Sequence, residues 1–336
     1  VSASVRAATT VASSPARPRA DRTPLIRLGL LALVTLAAIA VFMTIEANGN
    51  WDFVLPFRAR KVAAMALVGM AIAISTVAFQ TVTENRILTP AIMGFDALYM
   101  LIQTMVVFFF GGHRLLTLDP QKQFGMEVVI MTFFATALFW ALFLRARYSL
   151  YLLVMIGIIC GAFFRSFTNL AQRMIEPSDF VVLQDAGFAS FNAIDQTLLG
   201  MATMLVIGAS LVLWRMLPEL DLLTLGRDTA IGLGIDYRRS VGIVLIAIIV
   251  LTSVSTALVG PVAFFGLLVA NLAYLIVGSP AHRYTLPAAA LLGVTALVGG
   301  QTVLEHVFGL NSSLSVIVEF VGGIAFIFLV LRRQRS

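Results

Sequence analysis

Ten long apolar segments constrain this chain more than any other feature. They lie near 27–45, 62–80, 91–110, 125–144, 150–172, 196–216, 240–258, 261–278, 286–304 and 313–331. Most hold a long stretch without a charged side chain. An α-helix needs roughly 20 apolar residues to cross a bilayer, whereas a transmembrane strand needs about 9–11 with alternating polarity. The runs are too long for strands and do not alternate, so each reads as a helix. Composition agrees, with 60% of the 336 residues hydrophobic and 12% charged. A soluble domain carries about 25% charged residues, so the excess apolar surface needs lipid as its solvent. A soluble enzyme, a disulfide-stapled domain and a disordered chain are excluded. The single cysteine, Cys160, cannot form an internal disulfide. The expected fold is all-α, a polytopic membrane protein with about ten transmembrane helices. Val259-Gly260-Pro261 must turn the chain in very few residues.

Residues 1–24 are rich in Ala, Ser, Thr, Pro and Arg and read as a disordered cytoplasmic tail ahead of a membrane domain over 25–336. A cleaved export signal is the competing reading of the tail, but more apolar segments follow than one signal would explain. The net charge of +6 is spread among the apolar segments, so it reads as a topology signal and not as a nucleic-acid surface. With both termini cytoplasmic, most Lys and Arg fall on the inside. The outside then holds Arg58, Arg60, Lys61, Arg114, Lys122 and Arg173.

The usual chemical signatures are missing. The sequence has no GxxxxGK[ST], HExxH, CxxC or GxSxG. His113, His282 and His306 read as isolated loop histidines, so neither a metal site nor a cofactor is expected. Mechanism is sought instead in four polar features.

The first is the inside connection 217–239. Leu225, Thr229 and Leu233 recur there at i, i+4 and i+8, Ala230 is small, and Gly226 and Gly234 punctuate it. Two short amphipathic helices are expected, either docking a soluble partner or lying as a simple interfacial loop. The second is Arg58-Ala59-Arg60-Lys61, placed at an outer helix start where the helix dipole disfavours cations, so an acidic group should compensate them. An acidic protein partner and phospholipid head groups are both open readings. The third is Gln80 to Asp96, with Pro90 and Gly94, where irregular backbone at a membrane edge requires protein or a water-filled cavity around it. The fourth is polarity within the spans: Arg165, Ser166, Thr168 and Asn169 in the fifth, Glu319 in the tenth, and Gln103 in the third. Ionisable groups there face a pathway or a partner by default, while Gln103 reads as interhelical glue.

These residues resemble the ten-helix permease subunits of ABC importers for ferric siderophores and vitamin B12. The resemblance runs from about residue 28 to the end. Arg58-Ala59-Arg60-Lys61 followed by Gln80 is similar to that family's Arg-Leu-Pro-Arg start, with Ala in place of Leu-Pro. Thr83 to Pro90 stands at its Arg-Asn-Pro-Leu-Ala-x-Pro block. Met93-Gly94-Phe95-Asp96-Ala97-Leu98-Tyr99 is similar to a branch that handles iron chelates. Leu225-Gly226 and Leu233-Gly234 sit at paired Leu-Gly positions. Gly260-Pro261-Val262-Ala263-Phe264-Phe265-Gly266-Leu267 is similar to Gly-Pro-Ile-x-Phe-x-Gly-Leu, followed here by Ala270-Asn271 where the family has Pro-His.

The resemblance implies a type II ABC importer permease fold and the iron-chelate branch of the FecCD-type permeases. It implies a second permease chain, a paralogue or a second copy. An ABC ATPase dimer would bind the coupling segment through Leu225, Gly226, Asp228, Ala230, Leu233 and Gly234. An extracytoplasmic siderophore-binding protein would dock at Arg58, Arg60 and Lys61. Arg165, Thr168, Asn169 and Glu319 would line the path. The chain itself would be no enzyme, would hold no cofactor and would bind no nucleic acid. Permeases for haem or cobalamin share the scaffold, and an ion-coupled secondary transporter is the rival class, for which only Glu319 offers itself.

Overall fold

A computed structural model describes residues 23–45, 51–145, 150–191, 195–307, 317–318, 320 and 322–324. The described residues contain helices and turns and no strand. In chain order the helices are α1 (Thr23–Thr44), α2 (Trp51–Val82), α3 (Phe95–Phe110), α4 (Gly112–Thr117), α5 (Pro120–Arg145), α6 (Leu150–Gln172) and α7 (Pro177–Ala186). There follow α8 (Gln196–Arg215), α9 (Leu217–Leu223), α10 (Arg227–Gly232), α11 (Tyr237–Val259), α12 (Phe265–Val277) and α13 (His282–Val307). Nine of the ten expected segments are therefore helices, and most of the tenth, 313–331, lies outside the described residues. Helix α1 starts at Thr23, already inside the expected tail.

Among the described residues, seven helices are long and apolar enough to cross a membrane: α1, α2, α5, α6, α8, α11 and α13. The other two expected spans, α3 and α12, have 16 and 13 residues. At about 1.5 Å per residue neither reaches across a hydrocarbon core of roughly 30 Å. Both begin within the bundle. Gly94, with φ 89°, leads into α3 where its backbone meets that of Gly161 in α6. The start of α12 abuts α2, and a Cβ on Gly266 would lie 2.2 Å from Thr76 Oγ1. The irregular 83–94 stretch is held by contacts to the bundle but not enclosed: Thr89, Pro90 and Gly94 are buried, while Glu84, Arg86 and Ile92 are exposed. Gln80 and Asn271 both donate to the Arg86 carbonyl, at 2.8 and 3.1 Å. The Ile87 amide donates to Asn85 Oδ1 at 3.0 Å, and Pro90–Met93 forms a 3₁₀ turn. The sharp turn at 259–261 is made by Gly260 at φ 97°, and Phe264 takes a left-handed φ of 58° to start α12.

Helices α2, α11 and α13 form the centre. Helix α11 alone buries Val241, Val244, Leu245, Ile248, Leu251 and Val254. By contrast α1, α5 and α8 leave Leu33, Leu36, Phe133, Trp140, Met204 and Leu211 exposed, a lipid-facing surface for a membrane bundle. Antiparallel α2 and α13 touch backbone to backbone at Gly69 and Gly293, where no side chain intervenes. Helix α8 is capped by Asp195, whose carboxylate accepts from the Thr197 amide at 2.7 Å. Those backbone N–H groups hold this carboxyl below the usual aspartate range.

Candidate coupling platform and membrane path

Two short helices form a platform at one end of the bundle. Helix α9 buries Leu220 and Leu223, and α10 buries Ala230. Gly226, at φ 87°, separates them, and Gly234, at φ 89°, ends α10. That ending is a Schellman arrangement: the Ile235 amide donates to the Ala230 carbonyl at 3.2 Å and the Gly234 amide to that of Ile231 at 3.0 Å. A Cβ on Gly226 would stand 3.9 Å from both Glu84 carboxylate oxygens. The Leu225, Thr229 and Leu233 stripe points outward, leaving Leu225 54% and Leu233 56% exposed with Ile231 beside them. Asp228 is exposed too. Asp236 caps α11 by accepting from the Arg239 amide.

The basic cluster lies at the far end of α2, but not at a helix start. Helix α2 begins at Trp51, so Arg58, Arg60 and Lys61 stand inside it and clear of its first turn. Each cation also has a local partner. Arg58 Nη1 donates to the Phe42 and Ile45 carbonyls at 2.8 and 2.6 Å, satisfying the end of α1. Lys61 is 7% exposed and pairs with Glu305 of α13 at 2.5 Å. Gln301 donates to the same carboxylate oxygen at 2.7 Å. The expected acidic compensation thus comes from within the chain. Arg60 is exposed, its Nε donating to the Pro56 carbonyl at 3.3 Å.

In α6, Arg165 and Asn169 are one helical turn apart and exposed on one face. Thr168 is buried, and its hydroxyl has no hydrogen-bond partner among the described residues. Glu319 lies outside the described residues. Gln103 does join helices: its amide donates to Glu127 Oε1 of α5 at 2.7 Å, as does Gln123 at 2.9 Å.

Three groups were not legible as sites. Glu127 is 2% exposed inside an apolar run. Glu305 is the hidden partner of Lys61. His282 is no isolated loop histidine: it is 1% exposed, bonded to Asp221 of α9 on one ring nitrogen and to Thr81 of α2 on the other. Its partners are too distant in sequence for any motif to announce them. Among the described residues no group of three or more His, Cys, Asp or Glu could hold a metal ion.

A sequence profile of the FecCD transport family matches residues 25–332. The chain belongs to that family. It is similar to the petrobactin import system permease protein YclO of Bacillus subtilis, 43% identical over 311 residues, which span 93% of this chain and 98% of that protein. The petrobactin import system permease protein FatC of Bacillus anthracis is 35% identical over 92% of this chain and 88% of its own length. The ferric enterobactin transport system permease protein FepG of Escherichia coli is 27% identical over 93% and 92%. Among solved structures, an inward-facing metal-chelate type ABC transporter superposes with a TM-score of 0.80 at 20% identity, covering 92% of this chain and 99% of that one. This FecCD protein thus has the type II ABC importer permease fold. It is a multi-pass membrane permease and not itself an enzyme, and ATP hydrolysis belongs to a separate subunit.

Proposed function

We propose that this FecCD permease is one of two permease subunits that carry a ferric siderophore inward across the bacterial cytoplasmic membrane. The observation that carries the reading is the platform at 217–239. Its small, glycine-bounded helices present Leu225, Ile231 and Leu233 outside the bundle. Exposed apolar side chains on a compact platform fit a protein partner. The partner is an ABC ATPase dimer, engaged through Leu225, Gly226, Asp228, Ala230, Leu233 and Gly234. The platform end is then cytoplasmic, as are both termini. The functional unit is the membrane domain 25–336, with 1–24 as its cytoplasmic tail.

The cargo class follows from the relatives, which import petrobactin and ferric enterobactin. Arg165 and Asn169, exposed on α6, line the path between this chain and a second permease, with Thr168 buried behind them and Glu319 of the tenth segment contributing from outside the described residues. An Arg at membrane depth is costly unless water, a partner or cargo meets it. An extracytoplasmic binding protein docks at the far end. Of the three cations there, Arg60 is the exposed one and meets it, while Arg58 and Lys61 shape that surface.

Reconstitution with candidate ATPase and permease subunits in vesicles tests this reading. ATP-dependent uptake of iron-labelled ferric petrobactin is expected, with ferric enterobactin and a ferric hydroxamate as competitors. Uptake of haem or cobalamin alone would overturn the cargo class. Uphill uptake without any ATPase would overturn the importer reading altogether.

A further inference from the structure

We propose that Asp221, His282 and Thr81 form a hydrogen-bonded relay that carries movement of the platform into the membrane helices. The proposal rests on the reading of 217–239 as the ATPase dock. Asp221 belongs to α9, His282 is the first residue of α13, and Thr81 lies in the last turn of α2. Asp221 Oδ1 accepts twice from His282, from the backbone amide at 2.8 Å and from ring Nδ1 at 2.6 Å. On the other side of the ring, Nε2 lies 2.7 Å from Thr81 Oγ1. The link therefore runs from a half-exposed carboxylate, 40% accessible, to an imidazole 1% accessible, and on to a buried hydroxyl.

The carboxylate sets the character of the link. Nδ1 faces a carboxylate oxygen at 2.6 Å and donates to it, so the contact with Asp221 is a charge-assisted bond. Such bonds are roughly twice as strong as neutral ones and hold a defined direction. On the far side of the ring, the Thr81 hydroxyl also reaches the Val77 carbonyl at 2.9 Å, which ties the relay to the backbone of α2. One carboxylate on the platform thereby holds α13 directly and α2 through the His282 ring. The Arg86 guanidinium, just beyond α2, covers the ring of Tyr274 in α12 at 4.5 Å.

The geometry suits transmission better than adhesion. The apolar contacts of Leu220 and Leu223 can slide when α9 moves. The double bond from Asp221 cannot slide: it grips both the ring and the amide that starts α13, so it fixes position and orientation together. The amide it takes is one of the N-terminal donors that a helix cannot satisfy internally. Asp221 thus caps α13 from another element. Asp221, His282 and Thr81 are positioning residues: none touches cargo or nucleotide.

The test uses the whole importer in vesicles and reads iron chelate moved per ATP hydrolysed. Thr81→Val keeps the side-chain shape and deletes the hydroxyl. The expected result is a retained ATPase rate with transport per ATP reduced about tenfold, within the usual range of coupling between sites. Thr81→Ser restores the ratio, and Asp221→Asn lowers it in the same way. A purely structural role would lower the melting temperature and leave the ratio alone. A wild-type ratio in both Thr81→Val and Asp221→Asn overturns the relay. Failure of the dock reading looks different: Leu225→Asp with Leu233→Asp would then leave the ATPase bound.

Discussion

Lys61 and Glu305 show how a charge is accommodated deep in a mostly apolar chain. Their side chains are 8% and 15% accessible, and Gln301 satisfies the carboxylate further. Removing one member of a buried pair strands the other, at a cost of about 3–5 kcal/mol, whereas replacing both with apolar groups is often neutral. Lys61→Met and Glu305→Gln should each lower the thermal midpoint of the detergent-solubilised protein markedly. Lys61→Met with Glu305→Leu should recover most of the loss. Equal midpoints for single and double variants would refute the pairing. The sequence exposed the positive charge but not its partner, which lies 244 residues away. For the same reason it could not separate His282 from His113. The two look alike in sequence, and only the fold brings His282 onto Asp221 and Thr81, 61 and 201 residues away.

At the scale of elements, hydropathy located the helices well, because lipid imposes one requirement on every span. It could not tell full spans from α3 and α12, whose apolar stretches are equally dense but which start inside the bundle at Gly94 and Phe264. Those starts depend on close backbone approach, a tertiary property. The contact between α2 and α13 is of the same kind. A Cβ on Gly293 would stand 2.3 Å from the Gly69 carbonyl oxygen, and one on Gly69 would stand 2.8 Å from Gly293 backbone atoms. Neither backbone can yield as a side chain can. Gly293→Ala should therefore destabilise by more than its small added volume suggests, on the order of 1–3 kcal/mol for overpacking. Gly299→Ala, on the same helix with open space at its Cβ, is the control and should be near neutral. Thermal unfolding of the two variants side by side decides it.

At the scale of the molecule, the permease separates a packed interior from a platform that leaves Leu225, Ile231 and Leu233 exposed. The two short helices were legible in the sequence, since Gly226 and Gly234 bound α10, but the spacing of Leu225, Thr229 and Leu233 left a docking platform and a simple interfacial loop equally open; the fold turns that stripe outward. What the sequence could not carry was the attachment of that platform to the interior. Leu225→Asp with Leu233→Asp should abolish co-purification of the ATPase while leaving the permease folded, as judged by its melting curve. Gly226→Leu should be harsher, because its positive φ of 87° suits glycine and strains any other residue. Retained binding in both variants would remove the platform from the interface.

Helices α2 and α13 meet at three levels: Thr81 with His282, Gly69 with Gly293, and Lys61 with Glu305. Contacts near both ends and at the middle tie the two helices along their shared length, so that displacing one displaces the other. A shift delivered at the platform end of α2 would then reach the opposite end, where Arg58 and Arg60 lie.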